Sequence, residues 1–276
     1  MSDAPTMTAA TTEAPPYADV WVVVPTYNEA DNLAGISTAI LEQLPGATLL
    51  VVDDASPDGT GRLADELAGL DPHVKVRHRA GKLGLGKAYV DGFAIALDGG
   101  AQRIVQMDAD WSHDPRYLRP MLAALAGGDG DAGSPGADLV IGSRYVKGGG
   151  VRDWGLPRRI VSRGGSVFAR TVLSLSPHDL TGAYKAWRRS ALASTPWDRL
   201  HSGGYVFSIE MTYLATRRGV RIVELPIIFT DRRVGVSKMS RRIIGEALLV
   251  VLRLRWEQFR SQHPRTQFDA PAAQTE

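Results

Sequence analysis

From residue 20 to about residue 141 the chain alternates two hydrophobic patterns. Short apolar runs bounded by polar or turn residues read as buried strands, and apolar residues recurring every third or fourth position read as helices. The runs predict strands over residues 20–24, 48–52, 74–76, 104–107 and 139–141. The helical pattern covers residues 28–44, 59–70, 86–97 and 115–126, with Asn28 or Asp31 near the first cap. Strands alternating with helices predict an α/β fold whose mostly parallel sheet is covered on both faces. Ligands bind such sheets at the carboxyl ends of the strands. Asp53, Asp54, Asp108 and Asp110 all fall at such ends.

Beyond Gly148 the rhythm breaks. Residues 156–175 look helical and begin with basic residues, and Glu210 falls in a further helix. Residues 220–230 look strand-like, with Pro226 indicating a sheet edge. A last helix over residues 240–260 carries Arg241, Arg242, Arg253, Arg255 and Arg260, and is apolar around much of its circumference near Leu248. It reads either as a helix packed on the sheet or as an interfacial helix that sets apolar residues into lipid beneath basic ones. Residues 1–18 and 263–276 have the composition of disordered tails, and residues 127–137, rich in Gly, Asp and Ala, read as a surface loop.

A length of 276 residues suffices for one full core with an appendage. The absence of cysteine excludes disulfides, thiolate metal sites and a cysteine nucleophile, and fits a cytoplasmic setting. A net charge of +2 argues against general polyanion binding, although basic residues crowd the stretches 144–170 and 232–260. Those basic residues lack interspersed stacking aromatics, which disfavours nucleic acid as a partner. No secretory leader stands out, and no run reaches the roughly 20 apolar residues of a spanning helix. The expectation is a protein that is soluble or peripheral at a membrane face.

Asp108-Ala109-Asp110 closes an apolar strand. Residues two apart on an extended segment point the same way, so two carboxylates meet at one strand end. They repel unless a cation is present, and oxygen ligands suit Mg²⁺ or Mn²⁺ bound with a substrate's phosphates. Two solvated loop carboxylates would be the bland alternative. After the first strand, Val24-Pro25-Thr26-Tyr27-Asn28-Glu29 offers Tyr27 for base stacking and Glu29 as an acceptor, although the segment also reads as a capped turn. Val52-Asp53-Asp54-Ala55-Ser56-Pro57-Asp58-Gly59-Thr60 offers carboxylates for ribose or base, with Ser56 or Asp58 as helix caps. Leu83-Gly84-Leu85-Gly86-Lys87-Ala88 would let backbone approach a ligand at a helix start.

Together these segments resemble the inverting family-2 glycosyltransferases of the GT-A fold, a Rossmann-like mixed sheet. The nearest resemblance is to the dolichol- or polyprenol-phosphate mannosyltransferases. Further matching segments are Met107-Asp108-Ala109-Asp110-Trp111-Ser112-His113, Ile141-Gly142-Ser143-Arg144-Tyr145 and Asp179-Leu180-Thr181-Gly182-Ala183-Tyr184. Gly204-Tyr205-Val206-Phe207 and Asp231-Arg232-Arg233-Val234-Gly235-Val236-Ser237-Lys238 complete them. The resemblance implies a catalytic domain over residues 19–240, followed by a basic amphipathic helix over 241–262. It implies GDP-mannose as donor, a polyprenyl monophosphate in the membrane as acceptor, and Mg²⁺ or Mn²⁺ as cofactor. By motif, Pro25, Tyr27, Glu29, Val52 and Asp54 would hold guanosine. Asp108, Ala109 and Asp110 would bind the diphosphate and metal, with Ser112 beside the metal. Arg144, Arg232 and Lys238 would grip the phosphates, and Arg158 and Ser162 would receive the acceptor's phosphate. Asp110, Arg232 and Lys238 would carry the chemistry. Many relatives add transmembrane helices, so this form implies a membrane-protein partner or surface attachment at the cytoplasmic face. Two other readings remain: the same fold using a UDP-sugar such as UDP-glucose, and a non-catalytic subunit that binds nucleotide sugar. Intact Asp108 and Asp110 argue against the second.

Overall fold

The computed structural model describes residues 15–126, 136–197, 200, 204, 206–231 and 241–262. The centre of the sheet is β1 (Val20–Thr26), with all seven residues buried. Parallel β2 (Thr48–Asp53) pairs with it on one side and parallel β4 (Arg103–Gln106) on the other. β3 (Val74–His78) extends the sheet beyond β2, again in parallel. The order β3-β2-β1-β4-β7-β5-β8 places β7 (Lys185–Arg188) antiparallel between β4 and β5 (Leu139–Ser143). β8 (Ile222–Pro226) lies parallel to β5 at the sheet edge, where Pro226 leaves no ladder bond unmade. This is the mixed, mostly parallel GT-A sheet.

Helices cover both faces. Side chains of α1 (Ala30–Gln43), α2 (Thr60–Leu70) and α4 (Leu118–Ala126) join one core with Val22, Val24 and Val51. Those of α3 (Leu85–Asp98), α6 (Arg189–Ser194) and α7 (Phe207–Arg217) join another with Val23, Leu50 and Trp187. Gly92 sets the distance between α3 and the sheet. A Cβ there would lie 2.3 Å from Val23 Cγ1.

Several boundaries differ from the sequence pattern. Residues 15–19 form a turn rather than a tail, held by Val20 N donating to Tyr17 O at 2.9 Å. The helix expected over 115–126 begins as a 3-10 turn, Pro115–Tyr117, because Asp114 caps it through Arg116 N and Pro115 fixes the first turn. The strand expected over 220–230 is two strands. Ile227 turns inward, and β9 (Ile228–Phe229) leaves the main sheet to pair with β6 (Gly150–Val151). β7 and α6 have no counterpart in the sequence reading. The tails over 1–14 and 263–276, and most of the Gly/Asp-rich loop, lie outside the described residues.

A third, smaller core forms outside the sheet. α5 (Leu156–Leu173) and α8 (Arg241–Gln262) pack together and against α7, burying Ala169, Leu173, Ile209, Tyr213, Val251 and Leu254. Through its described side chains α8 thus packs on α5 and α7. Its other side leaves Leu249, Leu252, Trp256 and Phe259 exposed, and α5 leaves Leu156, Ile160 and Val167 exposed.

Lys185 is the unexpected residue of the core. It is fully buried in β7, and its Nζ donates to Ser208 O and Thr212 Oγ1 of α7, both at 2.8 Å. Burial lowers its pKa to about 7, against a smaller opposing effect of Asp179. Below pH 7 the folded and unfolded chains both carry this proton. Between pH 7 and 10.5 the folded chain has shed a proton that the unfolded chain keeps, so Lys185 makes stability rise with pH in that window. Lys185→Met is expected to flatten that rise in denaturant unfolding measured across it. The same slope in both proteins would contradict the assignment.

Candidate active site

The loops at the ends of β1 and β2 are stitched to each other. Asn28 N donates to Ser56 Oγ at 3.1 Å, Glu29 N to Thr60 Oγ1 at 2.9 Å and Ala30 N to Asp58 Oδ2 at 3.2 Å. α1 is thus capped from the neighbouring loop, which answers the unsatisfied amides of its first turn. Asp53 accepts from Thr26 Oγ1 at 3.0 Å and from Ser56 Oγ at 2.6 Å. It is a buried structural carboxylate.

Asp54 shapes the glycine loop. One oxygen accepts from Arg79 Nη1 at 2.5 Å and Leu83 N at 3.0 Å, and the other from Gly84 N at 2.8 Å. Arg79, which the sequence reading passed over, is buried and also pairs with Asp91. Gly84 has φ +99°, a conformation that glycine supplies without strain at the start of α3. Asp54 therefore presents the loop rather than a free carboxylate. Val52 is fully buried, and Pro25 and Ala109 are buried too. These three belong to the core beneath the site. Tyr27 and Glu29 remain partly exposed, and Lys82 sits 3.8 Å from the centre of the Tyr27 ring.

The acidic pair lies on a tight turn after β4. Trp111 adopts φ +64°, an uncommon conformation for a bulky residue. Asp110 is buried and its Oδ1 accepts from Ser112 N at 3.1 Å and Ser112 Oγ at 2.5 Å. Ser112 is thus bonded through both its amide and its hydroxyl to Asp110. Asp108 N donates to His113 Nδ1 at 3.0 Å, which requires an unprotonated Nδ1. Burial, opposed by the nearby Asp108 and Asp110 charges, lowers the His113 pKa and agrees with a neutral ring. His113 stacks on Tyr184 and so braces the turn. Asp108 Oδ1 accepts from Tyr89 OH at 2.8 Å.

The donor set suits a hard divalent ion. Two carboxylates rise from one turn, each held by a neighbouring hydroxyl, which is how outer groups orient metal ligands. Among the described residues no cluster of three or more His, Asp or Glu forms a closed metal cage. An ion here would complete its shell with water and a ligand's phosphate oxygens, as Mg²⁺ commonly does.

Arg144 faces Asp179 in a buried pair. Its Nε and Nη2 donate to the two carboxylate oxygens at 2.7 and 2.6 Å, and Nη2 also reaches Thr181 Oγ1 at 2.7 Å. Burial alone would raise the Asp179 pKa, but the Arg144 charge and hydrogen bonds outweigh it and hold the carboxyl below its ordinary value. Arg144 is thus first a latch between β5 and the segment before β7, with Trp154 and Phe229 rings against it.

A cavity of about 140 Å³ runs from this turn towards α5 and α8. Asp108, Ser112 and His113 line one part, and Val161, Phe168, Leu248 and Val251 another. Arg144, Arg158, Ser162 and Thr181 also line it. Arg158 donates to Asp231 Oδ1 at 2.6 Å and lies 4.1 Å from the centre of the Trp154 ring. Ser162 Oγ accepts from Tyr145 OH at 2.7 Å. The structure thus brings Asp108, Ser112, Arg144, Arg158 and Ser162 to one cavity. Arg232 and Lys238 lie outside the described residues. Sequence reasoning missed Trp154, Asp231 as the partner of Arg158, and Tyr89. Of these only Asp231 carried a signal, as an acid inside a basic motif.

Comparison with known proteins agrees with this geometry. The family model described as glycosyl transferase family 2 matches residues 21–195. A polyprenol monophosphomannose synthase from Mycolicibacterium smegmatis is 46% identical over 231 residues, covering 83% of this chain and 84% of that protein. An undecaprenyl-phosphate mannosyltransferase from Micrococcus luteus is 43% identical over 247 residues, covering 88% and 98%. The crystal structure of glucosyl-3-phosphoglycerate synthase from Mycobacterium tuberculosis, with Mn²⁺, UDP and glucosyl-3-phosphoglycerate, superimposes with a TM-score of 0.58 at 20% identity. That match covers 86% of this chain and 79% of the other, and it shows the shared fold. The chain is a GT-A-fold member of glycosyl transferase family 2.

Proposed function

We propose that this protein transfers mannose from GDP-mannose to a polyprenyl monophosphate with inversion, making a lipid-linked sugar donor. One observation supports the reading beyond the names of its relatives: a single cavity has a carboxylate turn in one part and apolar helix side chains in another. A phosphate carried on a hydrocarbon chain needs both surroundings. Arg158 and Ser162 of α5 line the same cavity, which supports the reading that they receive that phosphate.

The acceptor's monophosphate has a second pKa of about 6, so its oxygen is already anionic near neutral pH. It attacks the anomeric carbon as the bond from that carbon to the diphosphate oxygen breaks. No general base is needed, and a single displacement inverts the sugar. Asp108 and Asp110 would hold a divalent ion, Mg²⁺ or Mn²⁺, whose charge offsets that of the departing diphosphate. Arg232 and Lys238 carry the same electrostatic task by motif, and Tyr27 and Glu29 face the nucleoside. Most of the catalytic gain is positioning and preorganised charge.

The exposed apolar side chains of α5 and α8 beside Arg159, Arg163, Arg253 and Arg255 suit an anionic membrane surface. No helix among the described residues is long and apolar enough to cross a membrane. We propose that these helices, alone or with a membrane protein, hold the protein at the cytoplasmic face. Co-flotation with anionic vesicles is expected, and Leu252→Glu with Trp256→Glu is expected to weaken it at least tenfold. Unchanged flotation of that double variant would remove the lipid-facing role.

The activity itself is tested by offering labelled GDP-mannose and UDP-glucose in parallel to a short polyprenyl phosphate, with and without Mg²⁺. Metal-dependent mannosyl lipid from GDP-mannose is expected, with Asp110→Ala lowering turnover by about a thousandfold or more. Product from UDP-glucose alone would move the protein to another donor. Near-normal turnover by Asp110→Ala would sink the mechanism.

A further inference from the structure

Tyr89 enters the site through a single contact, the carboxylate of Asp108. It is fully buried on α3, five residues beyond Gly84. Its ring stacks on Phe93 at 5.9 Å and on Phe207, the first residue of α7, at 5.8 Å with only 6° between planes. Those contacts fix the ring from two helices. A tyrosine has two soft side-chain torsions, so a ring fixed in this way also fixes its hydroxyl. That hydroxyl donates to Asp108 Oδ1 at 2.8 Å.

Asp108 Oδ2 is placed differently. It lies 4.0 Å from His113 Nδ1, beyond hydrogen-bond distance, and Asp108 lines the cavity. The two oxygens of one carboxylate are therefore unequal. One is held by a buried phenol, and the other makes no hydrogen bond to His113. The backbone of Asp108 is fixed independently, by donation to His113. Removing the phenol oxygen would free the carboxylate's rotation without disturbing the turn.

We infer that Tyr89 is a positioning residue that orients Asp108 for a divalent cation. It also ties that orientation to the nucleotide loop. Gly84, whose amide is held by Asp54, caps α3, and that helix carries Tyr89. A rigid helix thus connects the loop at the end of β2 with the carboxylate at the end of β4. Tyr89 itself touches no substrate. The inference rests on the reading of Asp108 and Asp110 as a metal pair.

Tyr89→Phe tests it, because the change deletes one oxygen and keeps both ring stacks. Mn²⁺ binding to the full-length chain is followed by electron paramagnetic resonance of the free ion, in saturating GDP and, in parallel, UDP. Outer groups of this kind change metal affinity about 10–100-fold, and a loss in that range is expected for Tyr89→Phe. The thermal unfolding of the metal-free variant is expected to stay close to that of the unmutated chain, which separates orientation from folding. Asp108→Asn is the reference and is expected to lose binding. Unchanged Mn²⁺ affinity in Tyr89→Phe beside loss in Asp108→Asn would overturn the role of Tyr89 and leave the metal pair standing. Unchanged binding by Asp108→Asn, or none by the unmutated chain with either nucleotide, would overturn the metal pair and this inference with it.

Discussion

A parallel sheet gathers like charges. β1, β2 and β4 run side by side in the same direction, so their carboxyl ends bring Asp53, Asp54, Asp108 and Asp110 to one rim. Four carboxylates so close together repel, and each has a separate set of partners. Asp53 takes hydroxyls from Thr26 and Ser56. Asp54 takes the Arg79 guanidinium and two loop amides. Asp110 takes Ser112, and Asp108 takes Tyr89 on one oxygen. The division of labour at the site follows from that allocation. Asp53 and Asp54 build the loops, and Asp108 lines the cavity with Asp110 beside it on the same turn.

The second half of the molecule turns that rim into a cavity. Antiparallel β7 enters between β4 and β5, and the Arg144–Asp179 pair locks β5 to the segment leading into β7. A buried pair of this kind contributes less to net stability than to fixing one arrangement, because desolvation offsets much of its attraction. Here that arrangement sets Thr181 and Gly182 along the cavity wall, opposite α5 and α8. Charge at one part and hydrocarbon at another are both needed for a phosphate borne on an isoprenoid chain. No single secondary-structure element supplies both.

Much of the parallel half was legible in the sequence. Its strands are continuous apolar runs because both faces of the sheet are covered, and its helices keep a clear spacing. β7 was not legible, because it is a four-residue strand that opens on Lys185 and closes on Arg188, leaving only two apolar residues as a signal. Only the tertiary contacts with Ser208 and Thr212 make that lysine tolerable. The site was legible as motifs but not as roles. Asp54 is consumed by Arg79, which lies 25 residues further along the chain and belongs to no motif. Val52 and Ala109 match by position, yet their side chains face the core. Tyr89 directly follows the glycine segment that ends at Ala88, but its spacing gives no sign that its hydroxyl reaches Asp108.

A photoreactive short polyprenyl monophosphate probes the shared cavity most directly. After cross-linking in vesicles, the labelled positions are mapped by mass spectrometry. Label is expected on Val161, Phe168 or Leu248, displaced by unlabelled polyprenyl phosphate and reduced in Arg158→Ala. Displaceable label confined to α1, α2 or α4, on the opposite face of the sheet, would contradict a single cavity joining the carboxylate turn to the apolar helices.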